Sequence, residues 1–429
     1  MTRPSDPAAA PASPAPPAGG LVRRLGTGDA VVIGLGSMVG AGIFSALGPA
    51  AREAGSGLLV ALALAAFVAY ANATSTAQLA ARHPLSGGTY LYGRERLGPW
   101  WGFVAGWGFV VGKLASCAAM ALTFGAYVAP GAMRPLAVGA VVLLVALNLR
   151  GIARTAQVTR VLVAIVLAAL AAVLVGTLLG GRVDAGRIGP VLDGGAYGIL
   201  QAAGLLFFAF AGYARIATLG EEVRDPARTI PRAIPLALGI TVALYAAVAV
   251  AALLAVGPDA LAASAAPLAD TVRAGDLDAL APAVRVGAAV GSLAVLLSLI
   301  AGVSRTTLAM ARERDLPAPL AAVDPRHGVP ARAELAAGAI VIAVVLLADV
   351  RGAIAFSSFG VLVYYAVANA SALRLAPDER RWPRALAGAG LVGCVVLAAT
   401  LPAAGVAVGA GVLLAGVVGR WVALRAGGA

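Results

Sequence analysis

Stretches of twenty or more residues without a single charge recur along this chain, and they restrict its fold more than any motif does. Residues 57–80, 161–181 and 233–257 are three of them. A helix needs about 20 residues to cross the ~30 Å hydrocarbon core of a bilayer. Only 52 of the 429 residues are charged, a share of 12%, where a soluble domain carries about 25%. Hydrophobic residues make up 60%, and the 54 glycines raise the apolar share to roughly 73%. No water-soluble interior hides so much apolar surface. The chain is therefore expected to be an all-α integral membrane protein, which excludes a cytosolic enzyme, a secreted disulfide scaffold and a disordered regulator.

Apolar windows fall at about 29–49, 57–80, 99–129, 135–149, 159–180, 195–220, 233–257, 283–310, 333–348, 353–375, 385–402 and 404–423, which gives about twelve spans, the fourth and ninth short. Residues 1–20 form a Pro/Ala tract without periodicity. It lacks the basic and apolar regions of a cleaved signal, and a disordered tail is expected to residue 24. With the N-terminus placed in the cytoplasm, 23 basic residues fall in inner segments and 7 in outer ones, with Lys113 and Arg215 inside spans. The positive-inside rule then puts both termini in the cytoplasm of a cell-membrane protein. The net charge of +12 is accounted for by topology, and no nucleic-acid partner is expected. Cys117 and Cys394 lie in apolar runs, and His83 and His327 lie in polar connections without metal-ligand spacing. No metal, cofactor or structural disulfide is expected.

Two spans are unlike ordinary helices. The first contains Gly34, Gly36, Gly40 and Gly42 within nine residues, each costing a helix roughly 1 kcal/mol relative to alanine. One reading is a close-packing face of small residues. The other is an unwound break in mid-membrane whose freed backbone groups bind a ligand. The sixth span carries Phe207, Phe208 and Phe210, then Gly212, Tyr213 and Arg215. Alone, such a cluster is more often core packing. At the matching place of a second five-helix half, it points to a transporter binding site.

Four stretches in order resemble the amino acid permeases of the amino acid–polyamine–organocation superfamily, similar to its cationic amino acid transporter branch. They are GSMVGAGIF at 36–44, HPLSGGTYLY at 83–92, GEEVRDP at 220–226 with Ile230-Pro231, and Ser304-Arg305 with AMAR at 309–312 and Leu316-Pro317. The resemblance covers about residues 25–375. It implies a leucine-transporter-like fold: helices 1–5 (25–180) and 6–10 (190–376) as inverted repeats, helices 1 and 6 broken, and two peripheral helices over 380–429.

It further implies that the substrate carboxylate meets the N–H groups of Ala41 and Gly42, beside Gly40, at a helix N-terminus that favours anions. The amino group would meet carbonyls of Met38, Phe208 and Ala211, next to Gly212, with Phe208 and Phe210 lining or gating the pocket. The family's helix-five lysine corresponds to Val166, and an acid after the helix-six glycine to Ala214. Lys113 and Arg215 are the coupling candidates in their stead. Sodium-independent transport of an α-amino acid follows as the expectation, through proton coupling or exchange, with neutral side chains favoured over cationic ones. A polyamine or other organic-amine carrier is the alternative. An integral-membrane enzyme would need clustered carboxylates, and no span has a central Asp or Glu. A channel lacks a repeated pore lining here. Asp29 reads as a helix start; Glu221, Glu222, Arg224, Asp225 and Arg228 as a solvated or gate-forming loop; Glu313 and Asp315, beside Arg312 and Arg314, as a surface charge cluster.

Overall fold

A computed structural model describes residues 25–83, 87–151, 156–181, 183–190, 192, 194–217 and 222–426. The expected tail over 1–24, with Pro84–Ser86, Gly220 and Glu221 of the motifs, lies outside the described residues. Sixteen helices are present among the described residues. In the first half they are α1 (Thr27–Met38), α2 (Ala41–Ala54), α3 (Leu58–Arg82), α4 (Thr89–Leu97), α5 (Pro99–Val128), α6 (Met133–Leu149) and α7 (Ala156–Leu178). Then come α8 (Gly195–Phe210), the stub α9 (Ala214–Ala217), α10 (Pro226–Ala263), α11 (Pro267–Arg273) and α12 (Ala281–Arg312). The series ends with α13 (Ala331–Leu347), α14 (Val350–Leu373), α15 (Arg384–Thr400) and α16 (Ala403–Ala426).

Local chemistry sets the boundaries. Pro99 and Pro226 open α5 and α10 at the first turn, where a missing N–H costs nothing. The Asp349 carboxylate caps α14 by accepting from the Gly352 N–H at 2.7 Å. Gly87 and Gly88, at φ 139° and 56°, make the turn into α4 that a side chain would resist. Asp29 accepts from the Gly26 N–H at 3.1 Å, as its reading as a helix start requires.

Helix lies under each of the twelve windows, but nine apolar helical segments among the described residues are long enough to cross a membrane. The difference has three physical sources. The first window is divided after Met38, α2 and α3 run on through a short 3-10 turn, and α13 and α15 have 17 residues each.

The centre of the bundle is α5, with 89% of its apolar window buried, whereas α16, at 11%, runs along the periphery. Small residues bring α5 and α14 together: a Cβ at Gly108 would lie 3.0 Å from the Gly360 carbonyl oxygen, and one at Gly112 3.1 Å from that of Ser357. The hydroxyls of Ser116 and Ser357 share a hydrogen bond of 2.6 Å across this seam. One turn of α5 thus has its backbone fixed against α14, and Lys113 stands on it.

One expectation is corrected at a bundle end. Asp315 belongs to no surface cluster; its side chain is 2% exposed. It accepts from the Tyr90 hydroxyl at 2.7 Å and pairs with Arg94 at 3.0 Å and Arg420 at 2.8 Å. Arg420 stacks on Trp100 and Phe103. Two sequence-distant helices, α4 and α16, converge on one carboxylate, a convergence that charge spacing along the chain cannot reveal. Glu313 remains half-exposed beside Arg94, at 3.1 Å.

Candidate functional site

The glycines of the first span serve both of the roles considered for them. Helix α1 stops at Met38 because Gly40 takes φ −71°, ψ −135°, which leaves the helical region. The chain re-enters helix at Ala41, so the main-chain N–H groups at the start of α2 have no partner within that helix. The same glycines also pack. A Cβ at Gly34 would overlap Ile216, one at Gly36 would lie 2.7 Å from Val163, and one at Gly42 2.7 Å from the Ala209 Cα. Gly40 faces Val295 of α12. Gly42 therefore fixes how closely α2 approaches α8.

The second interruption follows Phe210. Residues Ala211–Tyr213 form a 3-10 turn before the four-residue α9. The two interruptions abut: a Cβ on Gly212 would lie 2.7 Å from the Met38 nitrogen and nearer still to the Ser37 carbonyl. Gly42, in the first turn of α2, lies against Ala209 near the end of α8, so the N-terminal, positive end of α2 and the C-terminal, negative end of α8 meet in one buried region. Ion pairs tether the first broken helix at both far ends, Asp29 with Arg160 on α7 and Glu53 with Arg351 on α14.

The backbone carbonyls at the breaks are engaged to different degrees. The Tyr245 hydroxyl donates to the Met38 carbonyl at 2.6 Å and lies 3.2 Å from that of Ala209. The Met38 oxygen, expected to face an amino group, already holds a short internal hydrogen bond. The Ala211 oxygen receives two long contacts, from Lys113 Nζ at 3.5 Å and the Tyr365 hydroxyl at 3.4 Å. Tyr365 stacks on Tyr213 with ring centroids 5.1 Å apart. Phe210 is fully buried with its ring 5.2 Å from Tyr245, and Phe208 is 8% exposed.

Lys113 is buried at 7% exposure and points at the second break. Arg215 lies beyond that break, half-buried on α9, within electrostatic reach of Arg305 and Glu222. The two coupling candidates therefore have different surroundings. Tyr245 and Tyr365 escaped sequence reasoning. The available signal was a tyrosine hydroxyl inside an apolar span, which needs a polar partner.

A narrow cleft opens beside the first break, lined by Gly36, Val39 and Gly40, by Thr159, Leu162, Val163 and Val166 of α7, and by Gly291 and Ala294 of α12. Val166, which the family resemblance sets at the place of the helix-five lysine, faces this cleft. Among the described residues, Thr159 supplies the one side-chain oxygen of its lining.

The amino acid permease family profile matches residues 29–418. The chain is 62% identical over 417 residues to an uncharacterized transporter of Mycobacterium tuberculosis, covering 97% of this chain and 93% of the relative. It is 28% identical over 341 residues to the branched-chain amino acid permease BcaP of Bacillus subtilis, covering 72% and 71%. It is 26% identical over 375 residues to cationic amino acid transporter 7, chloroplastic, of Arabidopsis thaliana, covering 81% and 64%. With the profile spanning nearly its whole length, the chain is a multi-pass membrane transporter and belongs to the amino acid permease family.

Proposed function

We propose that this transporter carries an α-amino acid across the cell membrane by alternating access, binding it where the two helix interruptions meet. The observation that supports this most is the contact of Gly42, in the first turn of α2, with Ala209 near the end of α8. It sets a free helix N-terminus and a helix C-terminus in one region, matching the charge separation of a zwitterion. In this reading the carboxylate takes the N–H groups of Ala41 and Gly42, beside Gly40. The amino group takes carbonyl oxygens near Phe208 and Ala211, next to Gly212, and Phe208 closes over the side chain. Twelve spans, with 25–180 and 190–376 as inverted repeats, go with this reading, as do cytoplasmic termini given the 23-to-7 distribution of basic residues.

Neutral side chains are favoured, since Lys113 and Arg215 disfavour a cationic one, and the likeness to a branched-chain permease supports the same choice. Transport is sodium-independent in this reading, by proton coupling or exchange. A polyamine or other organic amine is the second reading; it would leave the N-terminus of α2 without a ligand. The test is uptake of a radiolabelled amino-acid panel into proteoliposomes holding the purified protein. Saturable uptake of a neutral amino acid is expected. Competition by the corresponding amine without a carboxylate, as strong as by the parent, would overturn the assignment.

A further inference from the structure

Lys113 is the one lysine in the chain, it is buried in the most enclosed helix of the bundle, and among the described residues no carboxylate pairs with it. Its ammonium has three protons to place. The structure gives it one acceptor, the Ala211 carbonyl, at 3.5 Å. That oxygen lies at the C-terminal end of α8, where the helix dipole places its negative end. It is a ready seat for a cation, and Lys113 sits in it loosely. The other donor, Tyr365, is also long at 3.4 Å. Charge-assisted contacts of good geometry are about 2.8 Å, so a better-placed ammonium would form the stronger bond. The Met38 carbonyl offers no such opening, because Tyr245 holds it at 2.6 Å.

We infer that Lys113 carries a tethered ammonium that fills the amino-group seat of the empty carrier and yields it when an amino acid binds. The inference rests on the binding region proposed above. An α-ammonium and a lysine ammonium offer the same donors to the same carbonyl, so the two compete. Two consequences follow. Apparent affinity for substrate is lowered by the fraction of carriers in which the seat is taken. And an empty carrier whose seat carbonyl has an internal cation can reorient without ligand, which permits net uptake rather than obligatory exchange. The yielded ammonium stays near the bound substrate, so zwitterions with neutral or acidic side chains are accepted ahead of those with cationic ones.

The experiment compares wild type, Lys113→Met and Lys113→Cys in proteoliposomes. The cysteine variant is treated either with 2-aminoethyl methanethiosulfonate, which restores an ammonium, or with methyl methanethiosulfonate, which does not. Two readings are taken: equilibrium binding of a radiolabelled neutral amino acid that wild type transports, and the ratio of uptake into empty vesicles to exchange into preloaded ones. Lys113→Met and the methylthio-modified cysteine should bind about tenfold more tightly, as expected if the lysine holds nine seats in ten, with net uptake lost and exchange retained. The aminoethylated cysteine should return both readings toward wild type, and it carries the test if Lys113→Met fails to fold. Unchanged or weaker binding without the ammonium, or an unchanged ratio, overturns the inference while leaving the binding region standing. If wild type and every variant fail to bind any amino acid, the binding region falls, and the inference with it.

Discussion

The hydroxyl of Tyr245 lies 2.6 Å from the carbonyl oxygen of Met38, the residue at which α1 ends. From α10 this one side chain satisfies the carbonyl that the interruption sets free, and it reaches toward Ala209 on α8 at 3.2 Å as well. An unpaired carbonyl in a dry interior costs about 1–3 kcal/mol. Tyr245→Phe keeps the ring, including its contact with Phe210, and removes only the hydroxyl. The expected outcome is a stability loss of about 1–2 kcal/mol with a clear fall in maximal uptake rate, read by thermal melting in detergent and by vesicle transport. Wild-type rates in the variant would show that the break needs no such support.

Gly212 makes a second prediction from the same region. A Cβ placed on it would press on the Ser37 carbonyl and the Met38 nitrogen, backbone atoms that cannot move aside as a side chain can. Gly212→Ala should abolish transport by forcing the two interruptions apart. Gly239→Ala on α10 is the control, because a Cβ there meets nothing within 4 Å, and it should be silent or stabilise by up to about 1 kcal/mol. The Gly42 position is a poorer probe of carboxylate binding than its place in the first turn of α2 suggests. A valine side chain at that position would strike the Ala209 backbone, so loss of transport in Gly42→Val would report helix displacement.

Much of this arrangement was legible in the sequence because it rests on local chemistry. Glycine crowding around Gly40 marks the first interruption, the aromatic run ending at Gly212 marks the second, and uncharged stretches mark the helices. What escaped depends on long-range packing. Tyr245 reaches Met38 across 207 positions. Asp315 is buried only because Tyr90, Arg94 and Arg420 converge on it from elsewhere in the chain. The lysine–carbonyl contact joins residues 98 positions apart; the sequence showed an intramembrane charge at Lys113 but not where it points.

Phe208 and Phe210, grouped together by sequence, should separate by experiment. Phe210 is fully buried against Tyr245, and Phe210→Ala should cost about 3–5 kcal/mol in the way of core truncations, lowering the yield of folded protein. Phe208 retains slight exposure. Phe208→Ala should fold and change the order of preference among neutral amino acids in competition assays. Unchanged preference would assign both rings to packing alone.

Outside the bundle, Glu379 pairs with Arg96 at 2.8 Å and accepts from the Ala376 N–H at 2.9 Å. The Arg96 hydrogen bonds first, and the Ala376 N–H second, depress its carboxyl from an ordinary 4.5 to about 2. A depressed carboxylate contributes stability that is present above its unfolded value and lost as pH falls toward its folded one. The contribution should therefore be intact at pH 5 and above and fade between about 4.5 and 2. Melting temperatures across that window should fall more steeply for wild type than for Glu379→Gln, whose amide does not titrate. Parallel curves would mean that this exposed pair is too well screened to matter.

The final prediction concerns sodium, for which oxygen ligands decide the outcome. The cleft beside the first interruption is bounded by Gly36, Val39 and Gly40, by Val163 and Val166, and by Gly291 and Ala294, with Thr159 bringing the one side-chain oxygen. A hard monovalent cation is held by several oxygen ligands that replace its water. A wall of valine and glycine leaves that task to a few carbonyls and one hydroxyl. The Arg215 cation on α9 lies beyond the second interruption, within electrostatic reach of both Arg305 and Glu222. Replacing external sodium by choline at constant ionic strength should leave the initial rate and the apparent KM for a neutral amino acid within about twofold, well under the tenfold that 1.4 kcal/mol of coupling would give. Strict sodium dependence would place a cation site where valines now line the wall, and would refute this account of the cleft.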